Sequence, residues 1–304
     1  MAREKVKKID VHVHATMFQD YIPNLLYNGD KFLSDTQQIE LFDKLNIEKG
    51  VLLPIVSQEW QIFQSCNGEV KTMVNKNPDR FLWFCNIDPR NYFNDPNTDF
   101  SKMLNFYKEL GAKGLGELTP NMMLDDPLLD NLFYHCEKCD MPVTIHLAPA
   151  SAQYGYYGIK DDPGMPRLER VLKKFPNLKI FGHSQQFWAE ISAQEEGKPF
   201  DDYPTGKVKE GRIAQLLREY PNLYCDVSAN SGMNAFTRDK EYAAKFIEEF
   251  SDRIMYGTDY CQKANTFVFA FDKWLDEMCE DKMISEENYY KFMRGNAERL
   301  LNLK

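Results

Sequence analysis

Along the chain, short apolar and β-branched runs alternate with longer segments whose apolar positions recur every three or four residues. The short runs predict strands, because a strand covered on both faces reads as a continuous apolar stretch. They fall at about 8–14, 50–56, 81–87, 112–118, 141–146, 178–183, 223–227 and 253–259. The longer segments predict helices with one apolar face, as in Phe100, Met103, Leu104 and Tyr107, or Leu168, Val171, Leu172 and Phe175. Several end in a helix-stopping turn before the next strand, at Pro78-Asp79, Pro176-Asn177 and Pro221-Asn222. Eight strands separated by helices predict an α/β fold, a single distorted (β/α)8 barrel occupying residues 1–304 as one domain.

Two connections are longer than the rest: 148–164, rich in Tyr, Gly and Pro, and 185–210, with Trp188 and the acidic stretch around Glu195. Both follow predicted strand ends, so they are expected to lie over the barrel mouth as βα loops and to act as a substrate lid.

With 43% hydrophobic residues, 21 Phe and 16 Tyr among 304 residues, the chain can bury a large core. Its net charge of −9, without blocks of like charge, argues against nucleic acid as a partner, since phosphate binding needs a positive footprint. No stretch approaches the roughly 20 apolar residues of a membrane-spanning helix. The charged N-terminus runs straight into the first strand without an apolar signal region, and the seven scattered cysteines suit reduced thiols; a cytoplasmic protein is expected. Cys136-x-x-Cys139 falls within a predicted helix without a second pair, and burial explains it better than metal or redox chemistry.

Chemistry enters through the five histidines. His12 and His14 alternate on the first strand, so both project to one face and can hold one metal ion. His146 and His183 close two further strands, and Asp259 closes the last in Gly257-Thr-Asp259. His135 lies in a predicted helix. Strand carboxyl ends are where barrel enzymes place their chemistry, and neutral imidazole is the commonest metal ligand. Any one strand histidine could be a hydrogen-bonded core residue; the joint placement points to metal. Asp10 reads as a brace of the first strand. Glu117, in Gly116-Glu117-Leu118, could meet metal or substrate or pair with a backbone amide. Arg90 and Arg238 could clamp a substrate carboxylate, and Trp188 and the tyrosines Tyr154, Tyr156 and Tyr157 could wall a pocket.

The strand Asp10-x-His12-x-His14, the lone His146, Gly182-His183, Gly257-Thr-Asp259 and the closing Gly295-Asn-Ala-x-Arg-Leu-Leu301 together resemble the amidohydrolase superfamily, from Ile9 to Leu301. Within it the chain looks like the branch that includes aminocarboxymuconate-semialdehyde decarboxylase. The resemblance implies one divalent ion, zinc in the first place with manganese as an alternative, held by His12, His14, His146 and Asp259, with His183 as acid/base. It implies a small-molecule substrate and allows a homodimer. No carbamylated lysine is implied, because strand four carries no lysine at the corresponding position and ends in Gly116-Glu117-Leu118. Glu117 resembles a metal-ligand position of TatD-like deoxyribonucleases, but Thr119-Pro-Asn121 replaces the Gly-Leu-Asp expected there, which favours substrate contact. A divalent ion lowers the pKa of its water to roughly 7 in favourable sites. The expected reaction is therefore attack of that activated water on the carbonyl of a lactone, amide or ester, with Asp259 and His183 managing protons. The alternatives are a non-oxidative decarboxylase or hydratase of an aromatic or muconate-type acid, and a two-metal TatD-like phosphoesterase.

Overall fold

A computed structural model describes residues 6–22, 30–59, 64–151, 156–194 and 203–303. Among them are nine strands: β1 (Lys8–Val13), β2 (Ile47–Leu52), β3 (Phe81–Trp83), β4 (Leu115–Leu118), β5 (Val143–Pro149), β6 (Ile159–Asp161), β7 (Ile180–His183), β8 (Leu223–Val227) and β9 (Ile254–Tyr256). β1, β2 and β3 form one parallel sheet, and β4, β5, β7, β8 and β9 a second. Single parallel bridges link the sheets at both seams, Cys85 to Leu115 and Val13 to Tyr260. The Asp259 amide donates to the His12 carbonyl at 2.8 Å across the second seam. The result is the (β/α)8 barrel that the alternation predicts. β6 lies outside the ring, pairing with β5 in register Leu147–Ile159, Ala148–Lys160 and Pro149–Asp161.

The helices form as their sequences dictate. Ser34 caps the helix Asp35–Leu45 through a reciprocal bond with Gln37, and Asp126 with Pro127 starts Pro127–Lys138. Ser101–Glu109 and Pro166–Lys174 appear where the apolar spacing predicts them. Their apolar faces join strand residues in the main core, which includes Leu104, Leu168, Val171, Leu172, Ile145 and Ile180. A separate cluster of Ile9, Val11, Val51, Leu53, Phe84, Phe181, Tyr224 and Met255 takes in Ala297, Leu300 and Leu301 from the chain's end. Phe84, just past β3, meets Phe181 of β7 with ring centroids 6.3 Å apart. Those strands are not neighbours, so this contact crosses the lumen and the barrel is a packed core below its mouth.

Close packing leaves no room for side chains at some glycines. A Cβ on Gly182 would lie 2.2 Å from the Phe187 ring, so the residue before His183 must be glycine for the helix Gln185–Ala189 to close over β7. No described helix is long and apolar enough to cross a membrane. All seven cysteines are free thiols; burial pushes the Cys136 thiol up, consistent with an inert core position.

Candidate metal centre

β1 brings His12 and His14 to one point: their Nε2 atoms are 3.1 Å apart. Each ring is oriented by a bond at its other nitrogen. His14 Nδ1 donates to the Leu53 carbonyl at 2.9 Å, which leaves a lone pair on Nε2. His12 Nδ1 meets Asp226 Oδ2 at 2.5 Å, and Asp226 is buried at the end of β8. Carboxylate-oriented imidazole of this kind is the arrangement around protein-bound metals. Asp226 is a residue of the candidate site that motif reading missed. Its one signal was an acid inside the apolar run Leu223-Tyr-Cys-Asp-Val227, where burial demands a partner.

Asp259 follows β9 and turns toward β1. Its Oδ1 is 3.7 Å from His12 Nε2 and 3.6 Å from His14 Nε2. Glu117 on β4 reaches the same point: Oε2 is 3.5 Å from His12 Nε2 and 3.3 Å from His14 Nε2. Its other oxygen, Oε1, lies 2.6 Å from His146 Nδ1 and 3.6 Å from His183 Nε2. His146 Nε2, buried, makes no hydrogen bond among the described residues. His183 Nδ1 is bonded to Ser228 Oγ at 2.9 Å, and Nε2 is 4.0 Å from Asp259 Oδ2. Thus His12, His14, His146, His183 and Asp259 converge, and the residue at their centre is Glu117.

Asp10 does brace the strand. It accepts from the His12 and Thr258 amides at 3.0 Å each and from the Thr258 hydroxyl at 2.6 Å, and its burial raises its carboxyl to about 7. Burial disfavours charge on Glu117, but the histidines around it outweigh that and hold its carboxyl well below the usual range. The same balance holds Asp226 low through His12 and His183. Burial lifts Asp259, partly opposed by His12 and His14. His12 resists burial because Asp226 and Glu117 pull its value well up. His183 is pushed down to about 3, first by burial and then by the neighbouring His12, so its ring is uncharged near pH 7.

These donors form the floor of a cavity of about 310 Å³. Its walls include Thr119, Ser184, Gln185, Asn230, Ser231 and Gln262, with Tyr157, Phe32 and Ile55 as apolar surfaces. Thr119 Oγ1, Ser231 Oγ and Gln262 Oε1 are buried without a hydrogen bond among the described residues. No described Lys or Arg lines the cavity.

Two expected wall residues lie elsewhere. Arg90 is bound by Glu59 at 2.5 and 2.8 Å and by Asp88 at 2.6 and 2.8 Å, so its guanidinium belongs to an ion-pair network and not to the cavity. Trp188 is buried against Phe187 and Phe236, and its indole donates to the Asp226 carbonyl at 3.1 Å, so it packs behind β8 and does not line the cavity. Tyr154 and Glu195 lie outside the described residues. Tyr156 is partly exposed and stacks on Tyr157. His135 stays away from the site, its ring against Phe100.

The barrel has counterparts among solved structures. An uncharacterised TIM-barrel protein of Bordetella bronchiseptica aligns over 98% of this chain and 99% of its own, at 19% identity and a TM-score of 0.65. A 2,6-dihydroxybenzoate decarboxylase bound to 2,6-dihydroxybenzoate aligns over 98% and 99%, at 18% identity and a TM-score of 0.62. A 5-carboxyvanillate decarboxylase of Novosphingobium aromaticivorans complexed with manganese aligns over 97% and 96%, at 21% identity and a TM-score of 0.59. At these identities the likeness is one of fold. No curated protein matches the chain. The amidohydrolase family profile matches residues 9–303, nearly the entire barrel and every donor described above, and the chain belongs to that family of enzymes.

Proposed function

We propose that the enzyme is a metal-dependent hydrolase that cleaves a lactone, ester or amide of a small, polar, uncharged molecule. The observation that carries this reading is a ring of metal donors beneath a wall of unpaired hydroxyl and amide groups without a cation. The undescribed segments 23–29, 60–63 and 152–155 contain no Lys or Arg, and 195–202 offers Lys198 amid Glu195, Glu196, Asp201 and Asp202. A carboxylic acid would enter a site already holding Asp226, Glu117 and Asp259 with no Arg or Lys on the described wall to meet it. The metal would be the one cation left to meet its charge, in competition with the carbonyl to be cleaved, so an uncharged substrate suits the site better.

The residues fit a divalent ion. Donors of a tetrahedral zinc site with bonds of about 2.0–2.1 Å stand roughly 3.3 Å from one another. His12 Nε2, His14 Nε2, Glu117 Oε2 and Asp259 Oδ1 give separations of 3.1 to 3.7 Å for the five pairs described. This set has Glu117 where the resemblance implies His146. Zinc or manganese held there supplies Lewis acidity toward a carbonyl oxygen and acidifies water.

The chain's own groups do the rest. His183 is held at Nδ1 by Ser228, and its Nε2 faces Glu117 and Asp259, so it is placed to pass a proton between water and the leaving group. Asp259, lifted by burial, can hold a proton in transit. Thr119, Ser231 and Gln262 orient the substrate through bonds they do not make to the protein.

Reconstituted with zinc or manganese, the enzyme is expected to release acid from neutral lactones or esters, followed with a pH indicator, or amine from neutral amides, followed with an amine-reactive dye. The same preparation is expected to yield no CO2 from aromatic carboxylic acids. CO2 from such acids, with no turnover of neutral carbonyl compounds, would overturn the reading in favour of a decarboxylase.

A further inference from the structure

The segment that carries Asp259 borders two hollows. Asp259, Cys261 and Gln262 line the catalytic cavity, while Tyr260 and Lys263 line a separate cleft of about 300 Å³. The chain before the helix Asp35–Leu45 divides in the same way, with Phe32 on the cavity and Leu33 on the cleft. Gln37, Glu40, Leu41 and Lys44, one face of that helix, and Phe269 complete the lining. We propose that this cleft is a second ligand site, taking a small carboxylate with an apolar body, and that its occupant steadies the Asp259 segment in an arrangement ready for metal. The coupling rests on the metal-dependent reading above; the site itself does not.

The lining sets the class of ligand. Leu33 and Leu41 are buried and Phe269 is exposed, an apolar bed for a ring or a short chain. Lys44 and Lys263 make no ion pair among the described residues. Tyr260 is only 8% exposed, yet its hydroxyl makes no hydrogen bond among them. Glu40 is the one acid on the described lining, so two lysines leave it net positive. Asp30, the acid near Tyr260, is already taken up by the Lys31 and Ala264 amides at 3.1 and 2.7 Å. The catalytic cavity is the reverse, lined by Glu117 and Asp259 without a described Lys or Arg. Two ammonium groups and a phenol are donors for a carboxylate, and bonds assisted by charge are the strong ones.

The two hollows are joined by short, direct bonds. The Leu33 amide donates to the Cys261 carbonyl at 2.9 Å, tying together the two segments that both hollows share. Gln38, fully buried on the cleft's helix, donates through Nε2 to the His14 carbonyl at 2.8 Å and also to the Tyr260 carbonyl. It therefore clamps the end of β1 to the Asp259 segment. Those two stretches supply His12, His14 and Asp259, whose facing atoms already stand 3.1 to 3.7 Å apart. A ligand that fills the cleft in this form favours the arrangement that suits an ion, so ligand and metal strengthen one another's binding.

The probe is 4-fluorobenzoate, followed by fluorine NMR on metal-free protein, where no bound ion draws a carboxylate into the catalytic cavity. The wild type is expected to bind it saturably. Lys44→Glu and Lys263→Glu, both at exposed positions, are expected to weaken binding by about tenfold or more, and the uncharged 4-fluorobenzamide is expected not to compete. No binding by the wild type, equal binding by the lysine variants, or equal binding of the amide overturns the site. Competition for Zn2+ against a chromophoric chelator then reads the coupling: saturating probe is expected to tighten zinc binding by the wild type about fivefold and to leave both variants unchanged. A zinc affinity indifferent to the probe, or one that rises equally in the variants, overturns the coupling and leaves the site standing. Neither measurement uses a substrate, so the site can fail with the hydrolase intact, and failure of the hydrolase reading leaves the site untouched.

Discussion

Asp226→Asn tests whether the carboxylate behind His12 tunes the metal site or merely fills space. The asparagine has nearly the same volume and can still accept from His12 Nδ1, so the packing under Trp188 is preserved. The lost feature is the negative charge, 2.5 Å from His12 Nδ1 and fully buried, that makes the imidazole a better donor at Nε2. Removing a carboxylate of this kind typically lowers metal affinity by about 10–100-fold. At about 1.4 kcal/mol per tenfold, that is a loss of roughly 1.4–2.8 kcal/mol in ion binding. The assay is competition for Zn2+ against a chromophoric chelator near neutral pH, with near-ultraviolet circular dichroism to confirm an intact fold. A folded variant that binds zinc as tightly as the wild type would refute the assignment of Asp226 as the residue that prepares His12.

Three further outcomes follow from groups away from the donors. Lys8 is buried and bonded to Asp272 at 2.6 Å, so Asp272→Ala is expected to strand its charge and cost about 3–5 kcal/mol in urea unfolding; a loss under about 1 kcal/mol would mean that the pair is already solvated. Burial raises the Asp161 carboxyl above its ordinary value despite bonds from the Leu168, Arg167 and Asp162 amides. The folded chain therefore keeps that proton to higher pH than the unfolded chain, a stabilising contribution complete below about pH 4 and lost as pH rises through the folded value. The stability difference between wild type and Asp161→Asn should drift against the wild type over that range, and a difference independent of pH would contradict the shift. Arg90→Gln is expected to lower the melting temperature by leaving Asp88 and Glu59 without their cation, while the KM for any substrate found stays unchanged. A raised KM with unchanged stability would return Arg90 to the substrate site.

The barrel was legible because its signals are local. Runs such as Val143-Thr-Ile-His146 and Ile180-Phe-Gly-His183 are apolar on both faces, and that pattern arises only where a parallel strand lies between core and helices. A polar residue at the end of such a run leaves the core at the barrel's mouth, which is why His12, His14, His146, His183 and Asp259 could be named from order alone. The extra strand Ile159–Asp161 was not legible, since three residues in a Tyr- and Gly-rich connection carry no periodicity of their own.

What surrounds each donor is another matter. His12 and Asp226 are 214 residues apart, and Glu117 meets His146 across 29. No spacing rule connects such positions; the ring closure of eight strands does, by placing β1 beside β9 and β4 beside β5. The sequence by itself determined which elements form and which side chains end them, because hydrophobic period and chain direction are local properties. Only the tertiary structure decided that Glu117 stands between the two pairs of histidines, that Asp226 backs His12, and that Arg90 spends its charge on Glu59 and Asp88. Those outcomes depend on distances between strands, and buried charge is governed by whichever partner the closed barrel brings within reach.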